Sequence, residues 1–128
     1  MRVTVLGSGT LLPDAERHSA AHHVSFGDAS VLLDCGSGTV HGLARHGIDW
    51  EALTHVAVTH YHPDHVGDLS ALMFALRAGA STRERAAGGA EASRAQPLTL
   101  LGPPGFRAYL EGAASSLGSH VLDPKRPV

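Results

Sequence analysis

Disulfide chemistry is the first thing this sequence lacks. Cys35 is its sole cysteine, so no internal bridge can staple the fold, and a reducing compartment suits the chain. Aromatic residues are scarce at 5%, which argues against base-stacking platforms as its main business. A charge excess of one sign is missing too. The net charge of −2 provides no global basic field for nucleic acid and no acidic tail. No apolar run approaches membrane-spanning length. No charged leader or apolar signal core precedes the strand-like Met1-Arg2-Val3-Thr4-Val5-Leu6, so a cytoplasmic protein without a membrane partner is expected.

What remains is one domain's worth of chain. With 43% hydrophobic residues in 128, a packed core is possible. The surplus is in histidine, of which there are ten, and that invites a metal.

The elements alternate along the chain. Val3–Leu6 reads as a buried strand stopped by Gly7-Ser8-Gly9, and residues 13–21 form a polar loop. His23–Phe26 and Val31–Asp34 flank a hairpin turn at Gly27-Asp28-Ala29-Ser30. Val40, Leu43 and Ala44 recur at helical spacing as far as Gly47, and Val56–Thr59 is a short apolar strand. Leu69, Leu72, Met73 and Leu76 fall on one helical face. The Ala/Gly/Arg/Glu-rich stretch 81–96 has no hydrophobic anchor and reads as a surface insertion, mobile or loosely helical. Leu98–Leu101 is a strand, and Phe106, Tyr109, Leu110, Ala113 and Leu117 mark a last amphipathic helix. This order predicts an α/β fold.

The chemistry concentrates at His60-Tyr61-His62-Pro63-Asp64-His65. The segment follows the carboxyl end of an apolar strand, where α/β sheets place ligand sites. Neutral imidazoles and a carboxylate suit zinc, manganese or iron, with zinc ligands at ~2.0–2.2 Å. His60 and His62, one residue apart, can converge on one ion, and Asp64 and His65 can serve a second. Two ions ~3.5–4 Å apart would clamp a phosphoryl or carbonyl oxygen and activate a water. Pro63 stiffens the loop.

Other residues have two readings. Asp34 ends a strand, either as a turn former or as a carboxylate that orients a ligand histidine through its free ring nitrogen. Asp68 opens a helix and reads as a cap before it reads as a metal ligand. His18, His22, His23, His41, His46 and His55 lack ligand spacing and are expected to be surface or locally bonded. Cys35 reads as a small buried hydrophobe. Arg77, Arg83, Arg85 and Arg94 are expected on a solvated face, with an RNA backbone as the rarer use. Gly7-x-Gly9 is a weak echo of a dinucleotide turn, since Leu12 and Pro13 stand where a third glycine and a helix would be needed.

Thr59-His60-Tyr61-His62-Pro63-Asp64-His65-Val66-Gly67-Asp68-Leu69 resembles the histidine motif of the metallo-β-lactamase superfamily. The opening Val5-Leu6-Gly7-Ser8-Gly9-Thr10 with Pro13 and Arg17, then Leu32-Leu33-Asp34-Cys35-Gly36 and Leu101-Gly102-Pro103-Pro104-Gly105, is similar to its ribonuclease Z-like branch. The resemblance implies an αββα sandwich, two zinc ions and phosphodiester hydrolysis, on transfer RNA 3′ ends or on smaller esters. It assigns His60 and His62 to the first ion and Asp64 and His65 to the second. Asp64 also becomes the catalytic residue that manages the proton of the attacking water, and Asp34 tips towards orienting a ligand. An intact enzyme of this kind is expected to be a homodimer.

The departures matter as much. The resemblance asks for a third histidine on the first ion, a bridging aspartate and a further histidine on the second. Downstream of Gly105 the sequence offers only His120 and Asp123. His120 reads as part of a strand with Val121-Leu122 and not as a ligand. Residues 1–128 are therefore expected to be the N-terminal portion of a single domain, with an apolar sheet face uncovered. The alternative to an active hydrolase is a catalytically silent product, or a subunit that needs a complementary chain.

Overall fold

The computed structural model describes residues 1–86 and 96–124. One sheet holds five strands in chain order: β1 (Arg2–Gly7), β2 (Ala21–Phe26), β3 (Ala29–Leu33), β4 (His55–Ala57) and β5 (Thr99–Leu101). The first three run as an antiparallel meander; β4 and β5 pair parallel to β3. The β2–β3 turn is tight because Gly27, at φ 52°, takes the left-handed conformation that a two-residue hairpin loop needs. Parallel pairing demands crossovers. Helix α1 (Thr39–Arg45) and a 3₁₀ turn at Trp50–Ala52 link β3 to β4, while α2 (Pro63–Val66) and α3 (Leu69–Ala86) link β4 to β5. Helix α4 (Phe106–Leu117) follows β5. The α/β class expected from the sequence is the one observed.

The two faces of the sheet differ sharply. One register row runs Thr4, His23, Leu32, Val56, Leu100; its neighbour runs Val5, His22, Leu33, Ala57, Leu101. In the first, Leu32 and Val56 are fully buried, packed in one core with Leu43, Leu72, Met73 and Phe106 from the helices. In the second, Leu33 is 39% and Leu101 50% exposed. Val3, Val5 and Phe26 are exposed as well. All the helices' core residues thus serve one face, and the described residues put no second sheet on the other.

Several expectations change. Val3–Leu6 forms a strand but not a buried one: only Leu6 and Gly7 are buried, because β1 lies at the sheet edge with one face uncovered. The helix marked by Leu69, Leu72, Met73 and Leu76 runs on to Ala86, taking residues 81–86 out of the expected insertion; residues 87–95 lie outside those described. Leu117 is exposed, since the last turn of α4 overhangs the core that holds Phe106 and Leu110. The strand expected at His120-Val121-Leu122 is a 3₁₀ turn over Ser119–Val121. Gly118 opens it at φ 117°, and His120 is held by Ser70 Oγ at 3.1 Å and by the edge of Phe74. No helix among the described residues is long and apolar enough to cross a membrane.

The uncovered face generates one prediction. The chain should self-associate at micromolar concentration, because a row of uncovered apolar side chains beside an open sheet edge is a template for association. Sedimentation velocity should show dimers or larger species, and Leu33→Lys with Leu101→Lys should return the chain to monomer. A wild-type monomer at every concentration would contradict this.

The buried row generates a second. Burial, helped by the nearby Arg2 charge, holds the His23 imidazole below its ordinary value of 6.5. The folded state therefore keeps His23 neutral while the unfolded chain takes up a proton, so stability is full above pH ~6.5 and falls below it. Urea unfolding at pH 7.5 and 5.5 should show a smaller acid loss in His23→Gln than in wild type.

Candidate metal centre

The centre is built where β3 and β4 end side by side. Asp34 N donates to Ala57 O at 2.7 Å, so the chain leaves β3 still tethered to β4. Asp34 then takes φ 58°, the single non-glycine residue with positive φ among those described. That left-handed turn costs an ordinary side chain roughly 1–2 kcal/mol, and Asp tolerates it better than most. Its carboxylate, nearly buried, collects the ends of two elements. Thr59 N donates to Oδ1 at 2.8 Å, Thr59 Oγ1 lies 3.0 and 3.1 Å from the two oxygens, and His65 Nδ1 meets Oδ2 at 2.8 Å.

The histidine loop is equally pinned. Pro63 sits in the first turn of α2, with His62 as its extended N-cap residue and His62 O accepting from His65 N at 2.8 Å. Cys35 N donates to His65 O at 2.8 Å. Gly36 has no room for a Cβ, which would collide with the Asp64 carbonyl and Ser19 Cβ. On the far side, the Tyr61 hydroxyl donates towards the Pro103 and Pro104 carbonyls, each 3.0 Å away, and its ring stacks on Tyr109 at 5.0 Å.

Within this frame the rings cluster. His60 lies between His62 and His65, with centroid distances of 4.7 and 4.0 Å. His65 Nε2 faces Asp64 Oδ2 at 3.6 Å. With Nδ1–H given to Asp34, neutral His65 presents a lone pair at Nε2, opposite a carboxylate oxygen that can only accept. A cation between the two, either a proton on Nε2 or a metal ion, satisfies both. Two ligands of a tetrahedral ion at 2.0–2.2 Å stand about 3.3–3.6 Å apart. The donor set therefore fits a zinc-class ion in kind and, for His65 with Asp64, in spacing. In number it falls short: among the described residues, no group of three or more His, Cys, Asp or Glu side chains is placed to hold a metal ion.

The remaining candidates fall outside this cluster. Asp68 is a cap, but of another helix: its Oδ2 accepts from Val40 N, in the first turn of α1, at 3.1 Å. His120 is committed to Ser70 and Phe74. Arg77 pairs with Asp123 and Arg83 with Glu51, so neither presents an unshielded charge to RNA. Cys35 is fully buried; burial pushes its thiol well up, with the Asp68 and Asp34 charges adding to this. His23, expected at the surface or locally bonded, is buried with Nε2 at 2.9 Å from Ser30 Oγ.

Sequence reasoning missed two residues. Thr59, next to the motif, carries the hydroxyl shared by Asp34 and His60. Tyr61, treated as a spacer, ties the loop to the turn before α4. A hydroxyl immediately before the first histidine, two residues past the end of β4, was the available signal for the first.

Asp34→Asn keeps the side-chain shape and the tolerance for left-handed backbone but removes the charge and one acceptor. It should lower stability by about 2 kcal/mol, the cost of weakening hydrogen bonds to a charged group, measured as a lower urea midpoint at unchanged slope. An unchanged midpoint would deny Asp34 its central place.

Comparison with known proteins extends this geometry. Residues 19–115 match the metallo-beta-lactamase superfamily. Ribonuclease Z from Staphylococcus aureus strains JH9 and Newman is 33% identical over 127 residues, 97% of this chain and 38% of the relative. Human tRNase Z, short form, superposes with a TM-score of 0.69 at 26% identity, covering 88% of this chain and 38% of that one. The metallo-beta-lactamase fold protein YhfI from Bacillus subtilis gives a TM-score of 0.66 at 26% identity, over 86% and 40% of the two chains. The chain spans less than two fifths of the length of the ribonuclease Z relatives it matches. By family match and fold, the chain belongs to the metallo-beta-lactamase superfamily.

Proposed function

We propose that this chain carries the histidine half of a metal-dependent phosphodiester hydrolase of the ribonuclease Z kind, acting on transfer RNA 3′ ends or a related phosphodiester. The observation that carries the reading is His65, fixed by Asp34 on one side and facing Asp64 across 3.6 Å on the other. The S. aureus Ribonuclease Z relatives and human tRNase Z support the choice of substrate class.

In this reading His60 and His62 hold one zinc-class ion and Asp64 and His65 a second. Such ions supply Lewis-acid activation of water and of the phosphoryl oxygens. The chain's own residues do the rest. Asp34 keeps His65 Nδ1 protonated, so that Nε2 is the donor atom. Asp64 takes the proton of the attacking water, a role worth about 10²–10⁴ in rate. The reducing interior of the cell suits a protein whose sole thiol, Cys35, is free and buried.

A second reading has one observation behind it: no three donors converge among the described residues. The chain would then bind at most one weakly held ion and turn nothing over unless a complementary chain supplied the missing ligands. Metal analysis after zinc loading, with hydrolysis of bis(p-nitrophenyl) phosphate and of a precursor transfer RNA, separates the two. The first reading expects about two ions per chain and turnover, both lost in His62→Ala; Asp64→Asn should weaken the second ion and cut turnover by at least about 10²–10⁴-fold. Absence of turnover together with one ion or none favours the second.

A further inference from the structure

The Thr59 hydroxyl stands between the Asp34 carboxylate and His60. Its oxygen is 3.0 and 3.1 Å from the Asp34 oxygens and 3.0 Å from His60 Nδ1. A threonine hydroxyl has one hydrogen to give, and a carboxylate can only accept. If the hydrogen went to His60, two bare oxygen pairs would face each other at hydrogen-bonding distance with nothing between them. The hydrogen therefore goes to Asp34, and the hydroxyl oxygen is left to accept from His60 Nδ1–H.

From this juxtaposition we infer that Thr59 is a positioning residue: it relays the Asp34 carboxylate to His60, so that one buried acid sets the tautomer of two histidines at once. His65 receives the instruction directly through its 2.8 Å contact. His60 receives it at second hand. Both rings then carry the proton on Nδ1 and offer the Nε2 lone pair, and their centroids lie only 4.0 Å apart. Donors to an electrophile, above all a divalent cation, need that lone pair unprotonated, and fixing the ring tautomer is how a neighbouring acid raises a histidine's affinity for it.

Thr59 is suited to the task for a second reason. Its backbone N–H also donates to Asp34 Oδ1 at 2.8 Å, so the hydroxyl is anchored at its own Cα to the carboxylate it serves. That allows a clean separation of roles. Thr59→Val keeps the backbone bond and the branched shape and removes only the hydroxyl. Thr59→Ser keeps the hydroxyl.

The inference deepens the metal reading of this site, but its test does not depend on it. In the metal-free chain, nitrogen-15 NMR of the imidazoles distinguishes the Nδ1–H from the Nε2–H tautomer at neutral pH. Wild type should show His60 and His65 both as Nδ1–H. Thr59→Val should release His60 to a mixture rich in Nε2–H and leave His65 unchanged, and Thr59→Ser should restore the wild-type pattern. An Nε2–H His60 in wild type overturns the relay, and so does an Nδ1–H His60 that persists in Thr59→Val. The wild-type measurement stands even if the valine variant does not fold. Zinc titration against a chromophoric chelator then tests the metal reading separately. With both ideas right, Thr59→Val binds zinc about tenfold more weakly. A correct tautomer pattern in a chain that takes up no zinc keeps the relay and removes the metal.

Discussion

The Asp34 carboxylate is the contact on which the site and much of the sheet's upper edge depend. It accepts from the backbone and side chain of Thr59 and from His65. These come from the segment just after β4 and from α2, while Asp34 itself continues β3. Three separate elements are therefore fixed relative to one another by a single side chain. The same residue holds an unfavourable backbone conformation at φ 58°. A left-handed residue persists only where its surroundings over-determine it, and here the constraint is visible: the Asp34 N–H is held by Ala57 and the next N–H, of Cys35, by His65 O. The turn aims the carboxylate under the histidine loop. Straight strand geometry would have sent it out from a face of the sheet instead.

From that anchor the loop chemistry follows in order. Gly36 lets the Asp64 backbone come close, and Pro63 starts α2 at once, so Asp64 and His65 fall in its single turn with His65 Nε2 turned towards the Asp64 carboxylate. Tyr61 turns the other way, with its hydroxyl on the Pro103 and Pro104 carbonyls. Tyr61 and Pro63, the residues between the candidate donors, each have a fixed structural role. Spacing alone does not confer this.

The sequence was legible where periodicity or a short-range motif decides. Leu69, Leu72, Met73 and Leu76 could only be a helix face, and all four are buried. The place of the histidine segment, directly after β4, was legible as well. Edge strands were less legible: Val3 and Val5 look like core residues until the register shows them on the uncovered face. His120 misled for a related reason. An apolar pair after a histidine resembles a strand, yet Gly118 and the hold of Ser70 and Phe74 turn it into a 3₁₀ turn. Asp34 was recognisable as a candidate, but its left-handed φ and its bond to Thr59 depend on the distance between two strand ends, which no local pattern encodes.

The two faces of the sheet and the unfinished donor set belong to one physical situation. On one face, helices bury Leu32 and Val56; on the other, Val5, Leu33 and Leu101 are left in water. The donors sit at the strand ends, where the sheet's two faces meet the histidine loop. Apolar surface at this density is stable only when something covers it. A drier surround would strengthen the pull of each carboxylate and imidazole on a cation held at the strand ends. Under the proposed metal reading, a surface that covered the leucines and reached the strand ends would stabilise the sheet and strengthen cation binding together.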